Sequence, residues 1–113
     1  MPLTDPEVAG KLVEVINEFR RLDSKFPIQW VFAFLYVAAN EDCKVGDVAR
    51  ALRVVPPTAT VVLNGLSERK HDLIKRLRGR PDQREKRVGL TRRGKALMRA
   101  IAAHLSDPPR RGA

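Results

Sequence analysis

Between Asp72 and Gly94 the sequence DLIKRLRGRPDQREKRVGLTRRG changes its periodicity repeatedly, and few folds accommodate the order in which it does so. Leu73, Lys75 and Leu77 alternate with Ile74, Arg76 and Arg78, the period of two that a half-buried strand requires. Gly79-Arg80-Pro81-Asp82 supplies turn chemistry: Pro81 fixes its own φ and Gly79 is free to take a positive one. Alternation resumes from Arg84 to Leu90, with Lys86, Val88 and Leu90 on one side. Thr91 then caps a helix that runs into Lys95-Ala96-Leu97-Met98. A basic hairpin projecting from a small helical body is suited to lying along a DNA backbone.

Charge follows the same segment. Residues 65–99 hold thirteen Lys and Arg against four Asp and Glu, while the flanking stretches come to −1 and +1, so the net +9 resides in one third of the chain. A pI near 10.6 with the charge clustered in this way is the electrostatic footprint of a polyanion binder. Arginine outnumbers lysine, which suits forked contact with phosphate.

A chain of 113 residues implies one domain with a modest core. No apolar run approaches the length of a membrane span, and the start MPLTDPEVAG has acids where a signal peptide needs a hydrophobic stretch, so a cytoplasmic protein with no membrane partner is expected. The single cysteine, Cys43, forms no internal disulfide, and flanking Glu41 and Asp42 disfavour its thiolate, which makes it a buried small hydrophobe rather than a redox switch. His71 and His104 have no Cys or carboxylate at ligand spacing, so no metal and no cofactor is expected. With no phosphate-cradling glycine loop and no nucleophile–base pattern either, the chain does not read as an enzyme.

Upstream of the hairpin the pattern is helical. Thr4 or Asp5, then Pro6 and Glu7, mark a helix start. Val8, Leu12, Val15, Phe19, Leu22 and Phe26 follow at spacings of three and four, an apolar stripe that must be buried on this chain or on a partner. Pro27 ends that pattern and opens a second helix, from about Ile28 to Asn40, apolar nearly all round and therefore central. A short helix is expected from Val45 to Leu52, with Val48, Ala49 and Leu52 inward. Arg53-Val54-Val55-Pro56-Pro57 is a turn, and Pro57 or Thr58 begins a helix through Leu63 and Leu66 to about Lys70. The last helix spans about Thr91 to Leu105, with Ala96, Leu97, Ala100, Ile101, His104 and Leu105 inward. The fold class is mainly α with a small β-hairpin, a winged helix-turn-helix with flanking terminal helices. Its segments are a dimerisation helix at 1–26, the winged helix-turn-helix at 27–90, a helix contributing to dimerisation at 91–105, and a flexible tail at 106–113.

PIQWVFAFLYVAA, VGDVARALRVVPPTATVVLNGL and the run from Pro81 to Gly94 together resemble the MarR family of bacterial transcription regulators. The family's wing and following helix carry D-x-R and then L-T-x-x-G, here Asp82-Gln83-Arg84 and Leu90-Thr91-Arg92-Arg93-Gly94. The resemblance covers about Pro27 to Leu105. It departs at Val61, where members carry a long polar residue, at Gly65, where a second basic residue is common, and at Lys70-His71-Asp72, where members have a glycine. Members also have a longer C-terminal part that joins the dimer interface.

The resemblance implies duplex DNA as partner and a homodimer as the working form. It places Arg84 at the wing tip, where a guanidinium enters the minor groove, with Asp82 holding its fork. Arg80, Lys86 and Arg87 add phosphate contacts from the hairpin. Thr58 and Thr60 open the recognition helix, where hydroxyls and free N–H groups suit a phosphate or base edge, Thr58 being equally suited to capping. Asn64 is placed to reach an adenine, Val61 suits a thymine methyl or the core, and Arg69 and Lys70, with Arg50 and Arg53, hold phosphates. Val8, Leu12, Val15, Phe19, Leu22, Leu97, Ile101 and Leu105 form the expected dimerisation set. A small-molecule effector has no support in the residues. The competing reading is a protein-interaction module on a winged-helix scaffold, an antagonist or assembly factor of a nucleic-acid machine, which the apolar recognition helix favours. RNA binding lacks the aromatic pair on a strand that base stacking uses.

Overall fold

The computed structural model describes residues 2–67, 70–77 and 86–106. In chain order the elements are α1 (Asp5–Arg20), α2 (Ile28–Ala39), β1 (Cys43–Lys44), α3 (Val45–Leu52), α4 (Pro56–Leu66), β2 (Ile74–Leu77), β3 (Arg87–Leu90) and α5 (Arg92–Ser106). Two compact units divide the chain, a central one of Pro27–Lys95 and a terminal one of Met1–Phe26 with Ala96–Ala113.

In the central unit the core gathers Phe34 and Val37 of α2, Val48 of α3, Leu66 of α4, and Leu73, Ile74 and Val88 around the sheet, all almost fully buried. Each such side chain contributes about 1.5–3 kcal/mol relative to exposure. Although α2 is apolar nearly all round, it buries one side: Ile28 and Phe32 face out, and the Phe32 ring stacks on Tyr36 with centroids 6.5 Å apart. Arg53 closes α3 in the left-handed conformation at φ 60°, and Val54 N donates to Ala49 O at 3.0 Å. Two prolines then start α4, where a missing N–H costs nothing.

That helix stops at Leu66, short of the expected Lys70. Ser67 Oγ donates to Asn64 O at 2.6 Å, Asp72 N donates to Ser67 O at 2.8 Å, and Leu73 N donates to Leu66 O at 2.8 Å, so the chain reverses within a few residues. Asp72 makes the reversal at φ 54°, a conformation Asp tolerates better than most side chains and one that glycine supplies freely. Leu73 lies just before β2, and it and Ile74 are both buried. The strict alternation expected from Leu73 is not kept: Leu73 and Ile74 are both buried, Lys75 and Arg76 are both exposed, and Leu77 is half-buried.

The antiparallel sheet has the order β1-β3-β2, with Cys43 opposite Val88 and Ile74 opposite Leu90. β1, of only two residues, was not expected: so short a strand has no periodicity to read. Asp42 enters it at φ 65°, and the Arg87 guanidinium donates to the Asp42 carbonyl at 2.8 Å.

The L-T-x-x-G segment has a concrete geometry. Thr91 N donates to Leu73 O at 3.0 Å, and Thr91 Oγ1 donates to Asp72 O at 2.6 Å while accepting from Gly94 N at 2.9 Å. One hydroxyl therefore caps α5 and fastens it to the turn before β2. A Cβ on Gly94 would stand 2.1 Å from Leu73 O, so only glycine permits this approach.

In the terminal unit, Thr4 Oγ1 accepts from Glu7 N at 3.4 Å and donates to the Glu7 carboxylate at 2.9 Å, fixing the start of α1. Lys11 is buried and donates to His104 O at 3.3 Å and Leu105 O at 3.2 Å, the carbonyls of the last turn of α5. His104 Nε2 lies 2.9 Å from Glu18 Oε1. α1 ends at Arg20 rather than continuing through the stripe to Phe26, whose ring instead sits 5.4 Å from that of Phe19. This changes the expected dimerisation set. Val15, Phe19, Leu97 and Ile101 are buried by the chain itself, Leu22 is half-buried, and Val8, Leu12 and Leu105 remain exposed together with Leu3, Val13 and Ile16. The tail expected at the C-terminus lies, from residue 107 on, outside the described residues.

Gly94→Ala is expected to destabilise the protein by about 1–3 kcal/mol in urea unfolding, since the contacted atom is backbone and cannot step aside. Gly10→Ala, in mid-α1 with nothing within 4 Å of the added Cβ, should stabilise it by about 0.5–1 kcal/mol. Equal effects of the two changes would contradict the packing at Leu73.

Candidate nucleic-acid interface

The central unit brings α4 and β2 together around a shallow recess. Thr60 and Asn64 line it from α4, Lys75 and Arg76 from β2, over a floor of Leu63 and Val88. Lys75 and Arg76 are exposed on adjacent positions of β2, paired through the backbone with Gly89 and Val88. Neither is among the residues expected from sequence to hold DNA, although both belong to the basic run around the hairpin. Their charge is legible in the sequence; their position beside Thr60 and Asn64 depends on the turn at Ser67 and Asp72.

Of the expected recognition-helix residues, Thr58 and Asn64 are exposed and Thr60 is half-buried. Thr58 is not the cap: Val55 occupies that position, with no side-chain bond to the helix. Nor does the helix start offer free N–H groups. Pro56 and Pro57 have none, and Thr58 N donates to Val55 O at 3.0 Å. Anion binding by backbone donors is therefore closed to α4. Val61, left between base contact and core by its sequence, is 65% exposed.

Gly65, at a position expected to be basic by resemblance, lies under the Trp30 indole: a Cβ there would be 2.1 Å from Trp30 Cη2. Lys70 places its ammonium 5.1 Å from the centroid of the same ring, and the His71 ring meets Trp30 edge-on at 5.8 Å. Arg87 is half-buried and engaged with the Asp42 carbonyl, so it closes the β1 turn, while Lys86 is exposed. Arg50 pairs with Asp47, whose carboxylate also accepts from Lys44 N at 3.1 Å. Arg53 is exposed at the end of α3. Arg69, Arg80, Asp82 and Arg84 lie outside the described residues.

Among the described residues no three His, Cys, Asp or Glu side chains gather as a metal site would require, and no helix is long and apolar enough to cross a membrane. Cys43 is buried, and burial pushes its thiol pKa up, with Asp47 adding to the effect.

The architecture can be set beside solved structures. FabT of Streptococcus pneumoniae in complex with DNA is 28% identical, with TM-score 0.61 over 77% of this chain and 62% of that one. The MepR–DNA complex of S. aureus is 26% identical, with TM-score 0.68 over 87% and 78%. A MarR-like transcriptional regulator of Thermotoga maritima is 25% identical, with TM-score 0.64 over 92% and 77%. The chain has the MarR-like winged-helix fold. No family model and no curated protein matches the sequence itself. The MarR-like fold assigns α3 and α4 as the helix-turn-helix and β2–β3 as the two strands of the wing.

Because the Cys43 thiol is harder to ionise when folded, the folded state should lose stability as pH rises past the ordinary thiol value of about 9. Cys43→Ala should remove that loss in urea titrations at successive pH values. Iodoacetamide at pH 8 should label the native protein slowly and the unfolded protein fast; rapid native labelling would place the thiol at the surface.

Proposed function

We propose that this chain is a DNA-binding transcription regulator of the MarR type, which holds duplex DNA as a homodimer through α4 and the basic wing. The observation that carries the proposal is the meeting of Thr60 and Asn64 with Lys75 and Arg76 at one recess, in a fold shared with FabT and MepR, both solved with DNA. Cations on β2 provide sequence-independent phosphate attraction, and α4 provides the surface that faces the bases. In this reading Arg84 inserts in the minor groove and Asp82 holds its guanidinium. The exposed Val55 and Val61 also suit a protein partner, the second reading. Failure to shift any duplex, together with one stoichiometric protein partner, would favour it.

Fluorescence anisotropy on labelled duplexes over a salt series tests the proposal. Lys75→Ala with Arg76→Ala should flatten the salt dependence by about 0.9 for each phosphate no longer neutralised, on operator and random duplex alike. Arg84→Ala should cost about 1–3 kcal/mol on the preferred site, most where the flanks are A·T-rich and the groove narrow. Asp82→Ala should weaken binding less but in the same direction, although removing an acid by itself predicts tighter binding. Tighter binding by Asp82→Ala, with Arg84→Ala unaffected, would sink the wing assignment.

The homodimer rests on the face of α1 that the chain leaves uncovered. Val8, Leu12 and Ile16 run along it one turn apart beside the buried Lys11, Val15 and Phe19, and Val13 adjoins them. Light scattering at micromolar concentration should give a dimer, and Leu12→Glu, at a site 51% exposed, should give a folded monomer with weaker DNA binding. A wild-type dimer after that change would place the interface elsewhere.

A further inference from the structure

The outward face of α4 has a chemistry that narrows what it can read. Helical spacing sets Pro57, Val61 and Asn64 along one ridge, opposite the buried Ala59, Val62, Leu63 and Leu66. The helix PPTATVVLNGL contains no Lys, Arg, Asp or Glu. It therefore lacks the forked cation that reads guanine and the carboxylate that accepts from cytosine. Its prolines remove backbone donors from the first turn. What remains at the centre of the ridge is an isopropyl group, 65% exposed, with one amide a turn further on.

A valine in this position is not required by the fold, since the core residues of α4 lie on the other side. The one apolar group that duplex DNA displays in the major groove is the thymine C5-methyl. A β-branched side chain in a helix is held in essentially one rotamer, so little freedom is forfeited when it packs against such a methyl. Lys75 and Arg76, exposed on the strand beside Asn64, supply the charge that would seat this ridge against a polyanion.

We propose that Val61 is a specificity-determining residue that packs on a thymine methyl, with Asn64 reading an adenine one helical turn along. The inference rests on the DNA-binding reading above and adds to it the feature that is read: a methyl group, rather than a guanine edge. The face is thereby committed to duplex DNA, and a protein occupant is an outcome of the test.

Duplexes enriched by the full-length protein from a random-sequence pool provide the probe. Each thymine of the enriched site is then replaced in turn by deoxyuridine, which removes the methyl and leaves every hydrogen-bonding group. At one or two positions the wild type should lose about four-fold in affinity, the value of one buried carbon. Val61→Ala, a helix-favouring change at an exposed position, should bind the thymine site about four-fold more weakly and be indifferent to deoxyuridine there. Thermal unfolding of the variant confirms that its fold is intact. Deoxyuridine that is harmless at every position, or that costs Val61→Ala as much as wild type, overturns the inference and leaves DNA binding standing. Enrichment of no duplex, with none bound, overturns the DNA-binding reading and this inference with it.

Discussion

The junction between Thr91 and the turn at Asp72-Leu73 decides how the rest of the central unit is built. The Leu73 carbonyl accepts from Thr91 N, the Asp72 carbonyl accepts from the Thr91 hydroxyl, and Gly94 lets α5 come against the same backbone. These bonds join the residues before β2 to those after β3, so both strands of the wing leave from one anchored base. The base is buried, with Leu73, Ile74 and Leu90 beneath it, which keeps the backbone bonds out of water. Cations carried by the strands inherit their positions from this anchor. A serine or threonine cap is usually worth about 1 kcal/mol, but here the same hydroxyl also ties the start of α5 to the turn before β2.

Placement of charge divides the labour of the central unit. α4 has no charged side chain and no free N–H at its start, whereas β2 places Lys75 and Arg76 in solvent next to it. On the proposed DNA-binding reading, attraction to a polyanion comes mainly from the sheet side, and α4 provides shape and apolar contact. Trp30 reinforces the separation. By covering Gly65 it excludes a side chain from that position, and its ring accepts the Lys70 ammonium on its face. One indole thus explains both the missing basic residue in α4 and the posture of the lysine that follows it.

Local signals are legible in the sequence where they act locally. The short helix from Val45 to Leu52 follows from its apolar spacing, and Thr91 as a cap follows from its place before Lys95-Ala96-Leu97. Legibility ends where tertiary contact overrides the pattern. The stripe from Val8 to Phe26 reads as one helix, but α1 stops at Arg20 and Phe26 returns to Phe19. Half of that stripe is covered by the chain, because Lys11 and Glu18 meet the end of α5 and hold α1 there. Thr58 reads as a cap, but the preceding prolines start the helix earlier and move the cap to Val55. β1 has no signal of its own; its two residues become a strand only because Val88 and Arg87 lie opposite.

The sequence by itself determined the order of the five helices and of the two longer strands, the turn chemistry and the concentration of positive charge in one third of the chain, because periodicity, proline, glycine and net charge act through near neighbours. Tertiary structure alone decided which apolar residues face water. Val61 and Val62 are adjacent and chemically identical, yet one is exposed and the other buried, since only the packing of α4 on the core distinguishes them. It also decided that Lys75 and Arg76 stand beside Thr60 and Asn64. That neighbourhood depends on a reversal at Asp72 and a bond from Leu73 to Leu66, contacts that no spacing in the sequence encodes.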